Sequence, residues 1–452
     1  MSFLLGSLSL AARAMEAQSY GLEITGENIA NINTPGYTRR TVDFAEVPSS
    51  SGGGVDVRGV IAARTPLIDA RLWHEQPPAS QQGAVADNLS MVQSALGTTG
   101  ESLDQDLAGF YGAFSALAQD PTSSTARYQV VAKGQALASS FNAMASRIGQ
   151  VQTDSDFQIR SAVDQVNTLA ARIASINTAL SGADTAAAAS LRDEQGQALS
   201  DLSKLIDFST ITHADGSVDV SIGNGHSLVA AANVTRIGVT STPPQGFASL
   251  SSGGATITPE ITGGSIGGLL RVRDTLVPGY LGQLDQLASG VVSTVNATHT
   301  SGFDLNGAAG QPFFTPLSGV AGAAATISMN AAIVADPSKV AAAGAAVAGD
   351  NQTARALANL QDAALPGGTA TPVGAWSALV YQVGSDLKTA QQEQASRDDV
   401  VQQLQNLRDQ TAGVSLDEEA QSMMKFQRAY EANARFFNVV NQAFDTLTNL
   451  VS

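Results

Sequence analysis

The feature that most constrains this sequence is a series of large apolar side chains near its carboxyl end, spaced three or four residues apart. The series comprises Met423, Phe426, Tyr430, Phe437, Val440, Phe444, Leu447 and Val451, with Asn433 as a polar member. Such spacing places the side chains along one stripe of an α-helix, as in the seam of a coiled coil. A helix of this kind persists in water only when another surface covers the stripe. The sequence therefore predicts a long carboxy-terminal helix that packs against a partner, with Asn433 setting the register.

The amino-terminal segment carries a similar stripe of lower hydrophobicity. Its members are Leu4, Leu8, Ala11, Met15, Leu22, Ile29 and Ile32, and Gln18 and Thr25 interrupt it. The predicted helix ends between Asn31 and Thr34, because Pro35-Gly36 forms a turn that cannot continue a helix. We therefore expect both ends of the chain to form one terminal α-helical coiled coil.

Between these ends, the hydrophobic period divides the chain into extended and helical parts. Period-two alternation indicates a short extended connector after Pro35-Gly36 and a small β subdomain with hairpin signals at Asp215-Gly216 and Asn224-Gly225. The predicted fold is mainly α with a small β subdomain. Its domains are a terminal coiled-coil assembly domain with the extended connector (1–64 and 413–452), a helical-bundle domain with a Gly/Ala-rich loop region (65–205 and 263–412), and the β subdomain (206–262).

Charge and composition exclude several classes of function. The chain has 24 Lys and Arg against 40 Asp and Glu, and its formal net charge is −16. Binding of nucleic acid needs clustered basic side chains, so we expect no nucleic-acid partner. The absence of cysteine excludes disulfides, thiolate zinc sites and cysteine nucleophiles. No stretch reaches the roughly 18 consecutive apolar residues of a membrane span, so we expect no membrane insertion.

The first residues superficially resemble a secretory leader. An apolar run precedes Ala12-Arg13-Ala14, which has the small-residue spacing of a cleavage site. The run lacks a basic region before it, and the apolar stripe continues well past the supposed cut. We therefore expect the segment to remain in the protein as part of the first helix.

One enzymatic hypothesis deserves comparison. The segment from Gly263 to Gly267 has the G-x-S-x-G pattern of a nucleophile elbow around Ser265, and Asp285 and His299 follow in the chain order of α/β-hydrolases. However, all three would fit within 35 residues and lie on the helix that Ser265 opens. We therefore interpret the glycines as a close-packed loop before a helix, and no catalytic residue is predicted.

Metal and cofactor sites are not predicted either. The four histidines lack the H-E-x-x-H spacing, and the loop that begins at Asp304 has no glycine or glutamate at the positions that an EF-hand requires. We interpret His299 as a positive charge near the carboxyl end of a helix, where it would favour the helix dipole.

Several motifs resemble the flagellar axial proteins. The segment 28–39 (NIANINTPGYTR) is similar to the rod and hook signature, and 427–434 (QRAYEANA) is similar to its carboxy-terminal partner. Within that superfamily, the middle of the chain resembles the hook-filament junction proteins of the FlgK family. The residues that carry this resemblance are 264–270 (GSIGGLL), Arg273-Asp274, 284–288 (LDQLA), Asn296, His299, 302–307 (GFDLNG) and Phe313-Phe314.

The resemblance implies a structural function in the bacterial flagellum. A member of this family would join hook to filament by polymerising through its terminal helices, would be no enzyme and would bind no cofactor. The implied partners are the hook protein, the second hook-filament junction protein, lateral copies of the chain itself, and a cytoplasmic export chaperone on the carboxy-terminal region. The implied location is the extracellular flagellum, reached by type III export without cleavage of a signal peptide. The resemblance is weaker across 240–262 and 317–349, which implies an outer β region shorter than that of larger family members.

The predicted assembly interface combines the two stripes with the connector. From the residues alone, Tyr37 and Arg39 are either contacts between subunits or part of an amphipathic turn, and the resemblance favours contacts. The predicted set is Leu8, Met15, Leu22, Ile29, Tyr37, Arg39, Met423, Phe426, Tyr430, Asn433, Phe437, Val440, Phe444 and Leu447. The alternatives are a secreted serine hydrolase or adhesin that uses Ser265, or another axial protein such as the hook protein.

Overall fold

The two ends of the chain come together as a pair of long helices. The computed structural model describes residues 2–48, 53–97, 102–243 and 246–451. Helix α1 (Ser2–Ala30) packs against α12 (Leu416–Val451). Asn28 contacts Glu419 near one end, and Gly21 lies against the ring of Phe426, so the two helices run antiparallel. This pair confirms the predicted coiled coil formed by both chain ends.

A β-hairpin follows α1 and packs beside the helix pair. Strands β1 (Arg40–Glu46) and β2 (Val55–Ala62) pair antiparallel, with a register shift between Asp43 and Phe44. The ring of Phe44 lies 6.3 Å from that of Phe426, centroid to centroid. The predicted extended connector is therefore a hairpin that is attached to the terminal helices.

Ten helices of very different length make up most of the middle of the chain in the described residues. They are α2 (Pro66–Ala95), α3 (Leu103–Gln119), α4 (Ser124–Leu180), α5 (Thr185–Leu205), α6 (Gly264–Arg271), α7 (Val277–Thr300), α8 (Ala323–Thr326), α9 (Ala331–Ala335), α10 (Gln352–Asn359) and α11 (Pro372–Ala412). Helix α4 has 57 residues and contributes to two hydrophobic cores. Its first half packs in a core that contains the rings of Phe110, Phe114, Phe313 and Phe314. Its second half packs against the β subdomain.

The β subdomain consists of two small antiparallel sheets. The first contains β3 (Phe208–Thr212), β4 (Val218–Ile222), β5 (His226–Ala230) and β6 (Asn233–Val234) in sequential order, and the second contains β7 (Gly238–Thr242), β8 (Phe247–Ser252) and β9 (Ala255–Thr256). Gly216 and Gly225 adopt φ of +89° and +100°, which confirms the two predicted hairpin turns. Strand β4 buries alternate residues against α4, as its period-two pattern predicts.

The Gly/Ala-rich stretch before Asp350 differs in part from the expectation. It is largely irregular, as predicted, but it also forms the short helices α8 and α9 and buries Ile327, Ile333 and Val340 in the first core. Each alanine side chain buries little apolar area, so the pattern of hydrophobicity along the sequence gives only a weak signal for its packing. The stretch is therefore part of the helical core and not only a surface loop.

The helix after the β subdomain contains an irregularity that its sequence pattern does not indicate. A π-helical segment, Val272–Leu276, joins α6 to α7. Within it, the buried guanidinium of Arg273 donates to the carboxylate of Asp156 at 2.6 Å and to the backbone oxygen of Ala248 at 2.9 Å. The ion pair thus ties α4, the π segment and β8 together. Because a π segment changes the angular step along a helix, it turns Arg273 toward the interior.

His299 at the end of α7 corrects one interpretation. The imidazole is buried, its Nδ1 donates to the oxygen of Gln311, and its Nε2 accepts the backbone N–H of Ala341. Burial lowers the pKa of His299 to about 4, so the ring is neutral at pH 7. The prediction of a positive charge at the helix end is wrong, because the ring lies in the core and uses both nitrogens for structural hydrogen bonds.

The first testable prediction concerns pH. The folded-state pKa of about 4 lies below the value of about 6.5 expected in the unfolded chain. The neutral ring therefore contributes stability that is fully present above pH 6.5 and is lost as the pH falls toward 4. The loss should reach about 3 kcal/mol across that window. In urea unfolding, the stability advantage of the wild type over His299→Gln should shrink steadily from pH 7 to pH 4. A constant difference would contradict the neutral, buried ring.

Candidate assembly site in the terminal domain

A buried amide joins the elements of the terminal domain. Asn28, near the end of α1, donates from Nδ2 to the backbone oxygen of Arg40 at 2.8 Å and to Oε2 of Glu419 at 3.0 Å. Its Oδ1 accepts the backbone N–H of Arg40 and the hydroxyl of Tyr37, both at 2.9 Å. The amide thereby uses both of its donors and both acceptor positions. We call Asn28 and these partners, together with Arg39, the terminal clamp.

The carboxylate of the terminal clamp belongs to the first turn of α12. Glu419 is buried, and its Oε1 accepts a hydrogen bond from Nε of Arg39 at 2.7 Å. Nη1 of Arg39 also lies 3.2 Å from the carboxylate of Glu418. A carboxylate at the start of a helix is favoured by the helix dipole, and charge-assisted hydrogen bonds offset its burial. The start of α12 is therefore fixed to the end of α1 and to the start of β1.

A second carboxylate attaches the terminal domain to the helical middle. Asp193 of α5 accepts the hydroxyl of Thr38 at 2.7 Å and hydrogen bonds from the guanidinium groups of Arg40 and Arg64. The guanidinium of Arg40 also lies over the ring of Tyr37, 4.8 Å from its centroid. Burial is the main cause that raises the pKa of Tyr37 to about 12, so its hydroxyl stays protonated and can donate to Asn28. Thr38 of the signature segment, together with Arg40 and Arg64, therefore connects the hairpin and its flanks to α5.

The predicted interface residues occupy four kinds of position. Tyr37 and Arg39 make the contacts within the chain described above. The half-buried residues at the edge of the α1–α12 seam are Leu8, Met15, Leu22, Ile29, Met423, Phe426, Asn433, Phe437 and Phe444, whereas Val440 is buried and Tyr430 and Leu447 are exposed. The structure brings both stripes to one helix pair, and part of each stripe remains exposed on the surface of that pair.

The face of α1 that is buried most deeply differs from the predicted stripe. It consists of Ala11, Ala17, Gly21 and Ile24, with the hydroxyl of Thr25 bonded to its own helix. A Cβ on Gly21 would lie 2.7 Å from the ring of Phe426. Small residues let the helix axes approach, and the larger side chains then flank the contact. The predicted stripe includes Ala11 from this face but not Ala17, Gly21 or Ile24, because these three lie outside its heptad positions.

Sequence reasoning also missed the charged centre of the terminal clamp. Asn28 and Glu419 were not among the predicted site residues, although Asn28 begins the quoted signature. Two signals were available in the sequence. One is a polar residue near the end of an otherwise apolar stripe, and the other is a carboxylate in the first turn of the partner helix. Neither signal identifies the other residue, because the two are 391 positions apart.

The alternative catalytic residues do not converge. Ser265 precedes Asp285 by 20 residues on one continuous helical segment, a separation of about 30 Å. The carboxylate of Asp285 accepts the backbone N–H groups of Gly322 and Ala324, and His299 is held as described above. In the described ranges, no three His, Asp or Glu side chains are grouped as metal ligands. Across the same ranges, no helix has the length and hydropathy to cross a membrane.

Comparison with known proteins identifies the family. The model for the flagellar hook-associated protein FlgK helical domain matches 89–314, the model for the flagellar basal body rod FlgEFG protein C-terminal region matches 408–450, and the model for the flagella basal body rod protein matches 8–38. Flagellar hook-associated protein 1 of Escherichia coli (strain K12) is 25% identical, with 97% of this chain and 98% of that protein covered. The protein of the same name from Bacillus subtilis (strain 168) is also 25% identical, with 98% and 97% covered.

A solved structure has the same fold. The flagellar hook junction protein FlgK from Burkholderia pseudomallei superposes with a TM-score of 0.66 at 15% identity, over 76% of this chain and 99% of that one. The paired terminal helices and the two terminal matches define a structural component of the bacterial flagellum. The model of the helical domain spans half of the chain, and the chain belongs to the FlgK family of flagellar hook-associated proteins. The resemblance of the middle residues is thereby confirmed.

The second prediction tests the terminal clamp. Asn28→Ala leaves the buried carboxylate of Glu419 with one partner fewer and leaves the hydroxyl of Tyr37 without its acceptor. Each buried group that loses its partner costs about 1–3 kcal/mol. Hydrogen exchange in the first turns of α12 should accelerate by about tenfold or more.

Asn31→Ala is the matched control, because within the described part of the chain the side chain of Asn31 bonds only to its neighbours Glu27 and Thr34. It should leave exchange in α12 close to that of the wild type. Equal effects from both variants would show that the amide of Asn28 does not hold the two helices together.

Proposed function

We propose that this chain is the adaptor that joins the flagellar hook to the filament and that it polymerises through its terminal helices. The observation that carries the proposal is the terminal domain, in which both chain ends form one helix pair that is fixed to the helical middle through Asp193. A chain of this design can repeat the terminal packing of one lattice while its middle presents a different outer surface. The family membership supports the same role.

The partly used stripes supply the energy for assembly. Phe437 and Phe444 remain half-buried between α1 and α12, and Tyr430 and Leu447 are exposed. Covering a large apolar side chain fully contributes about 1.5–3 kcal/mol. The surfaces of neighbouring subunits can complete this burial. We therefore propose that the predicted seam residues, Leu8 and Met15 among them, act both within the chain and at contacts between subunits.

The proposed partners follow from this role. They are the hook protein on one side, the second hook-filament junction protein on the other, and lateral copies of the chain itself. An exposed apolar face on α12 also needs cover before assembly. For this reason we propose that a cytoplasmic export chaperone binds the carboxy-terminal region.

We also propose that the chain is no enzyme and that it works outside the cell, as part of the flagellum. The separation of Ser265 from Asp285 and the structural hydrogen bonds of His299 support the first statement. The continuity of α1 supports export without cleavage. Cutting after Ala14 would remove about half of this helix, including Ala11, which lies on the face that contacts α12.

The domain division is proposed with the predicted boundaries: 1–64 with 413–452, 65–205 with 263–412, and 206–262. The two large buried clusters support a division of the middle. However, the second cluster combines β strands with the second half of α4 and with α5 and α6. The β subdomain therefore shares its core with the adjoining helices.

The third prediction tests the adaptor role directly. Cells that lack the chain should build hooks of ordinary form, carry no filaments and release unpolymerised flagellin into the medium. The physical reason is that incoming subunits find no matching surface on a bare hook. Electron microscopy checks the hooks, and analysis of the medium checks the flagellin. Filaments of normal length on these hooks would refute the adaptor, whereas loss of the hooks would favour a rod or hook protein.

The fourth prediction concerns the seam. Phe437→Asp places a charge among half-buried apolar groups, and burial of an unpaired charge is strongly unfavourable. We expect loss of incorporation into flagella and loss of swimming, with the helical middle still folded by circular dichroism. Asn438→Asp is the matched control, since Asn438 is exposed on the same helix. Normal swimming with Phe437→Asp would show that the seam is not needed for assembly.

A further inference from the structure

The side of α12 that faces away from α1 combines apolar and basic side chains. Phe436 and Val439 are 44% and 63% exposed. Lys425, Arg428 and Arg435 surround them on exposed turns of the same helix. Among the residues that the structure describes, none of these three cations lies in an ion pair. We call these five residues the basic face.

Within the described residues of α12, no ion pair neutralises Arg435 of the basic face, although the sequence predicts one. Glu431 stands four residues before Arg435, and the i,i+4 spacing predicts an ion pair. In the described chain, no carboxylate comes within ion-pair distance of Arg435. The cations are therefore available to carboxylates outside the chain.

The outer side of α1 has the opposite character. Leu5, Ala12, Glu16 and Glu23 are exposed, and neither glutamate forms an ion pair within the described part of the chain. At 100° per residue, these four lie on one side of the helix, away from Ala17, Gly21 and Ile24. We call Leu5, Ala12, Glu16 and Glu23 the acidic face.

The acidic and basic faces point away from the seam that joins α1 to α12, so they cannot cover each other within one chain. Two different, complementary faces on one chain are the condition for a heterologous contact between identical subunits. We propose that the basic face of one copy docks on the acidic face of the next copy. This inference rests on the proposed function, because it assigns a specific contact to the lateral copies of the adaptor.

The order of the charges fixes how the two copies meet. Copies that share a common axis present α12 of one antiparallel to α1 of the next, because the two helices are antiparallel within each chain. In that orientation, Glu16 opposite Arg435 also places Glu23 opposite Arg428 and Ala12 opposite Val439. Four favourable charges then face one another at a single register.

This register differs from that of the pair within the chain. Glu16 opposite Arg435 is displaced by four residues from the alignment in which Asn28 meets Glu419, a shift of about 6 Å. A contact that repeats with a constant axial shift generates a helix, whereas a contact without shift closes a flat ring. The proposed contact therefore builds a helical layer of subunits.

Cross-linking tests the contact, and the absence of native cysteine makes every disulfide diagnostic. Cells that co-express Glu23→Cys and Arg428→Cys chains should yield a disulfide-linked dimer in isolated flagella. Flagella with either variant alone should yield none, because each residue meets only the other face. Arg428→Cys together with Tyr381→Cys is the matched control, since Tyr381 is 76% exposed on α11, and this combination should give no dimer.

Two results would overturn the proposal. One is the absence of dimer in motile cells that carry both variants. The other is a disulfide-linked dimer from a single variant, which indicates a symmetric contact. In addition, the Arg428→Cys chain could be mixed with cysteine variants of the hook protein, and a cross-link there in place of the self-dimer would assign the basic face to that partner.

Charge exchange provides an independent readout. Arg428→Glu with Arg435→Glu should lose swimming, and Glu16→Arg with Glu23→Arg should lose it too. The chain with all four substitutions should regain swimming, because the faces are again complementary. If the fourfold variant is as defective as the others, the contact is refuted. The adaptor role has its own test in the deletion strain, so the two failures are distinguishable.

Discussion

The terminal domain depends on one buried contact, in which the amide of Asn28 meets the carboxylate of Glu419. A buried carboxylate is tolerated only when donors satisfy it, and Asn28 and Arg39 supply them. The same amide binds the backbone of Arg40 and the hydroxyl of Tyr37, so the helix end, the hairpin and the second helix adopt one mutual arrangement. In this chain, the signature segment of the axial proteins is the device that joins the two chain ends.

The packing of α1 explains why the chain can be folded and still ready to assemble. Gly21 and the alanines near it allow α12 to approach closely, so small residues occupy the centre of the contact. Large side chains such as Met15 and Phe437 then lie at its edges and keep part of their apolar area exposed. The hydrophobic stripe thus stabilises the helix pair and still leaves apolar area for the contacts between subunits that we propose.

A rigid connection is needed between the terminal domain and the outer surface of the molecule. Asp193 provides it at the joint, where it receives donors from Thr38, Arg40 and Arg64. Helix α4 extends it, because one continuous helix contributes to both large cores. An adaptor between two lattices requires such rigidity, since a flexible joint would let the terminal packing and the outer surface vary independently.

The sequence by itself determined the helical stripes at both ends, the hairpin turns at Gly216 and Gly225 and the mainly α class, because these features arise from contacts between residues close in sequence. The tertiary structure decided which side of α1 is buried, that Glu419 pairs with Asn28, that a π segment turns Arg273 toward Asp156, and that His299 is neutral. Each of these depends on residues distant in the chain, whose proximity no local pattern encodes. The exposed charges of α12 belong to the same group, because only the packed helix pair reveals which side remains open.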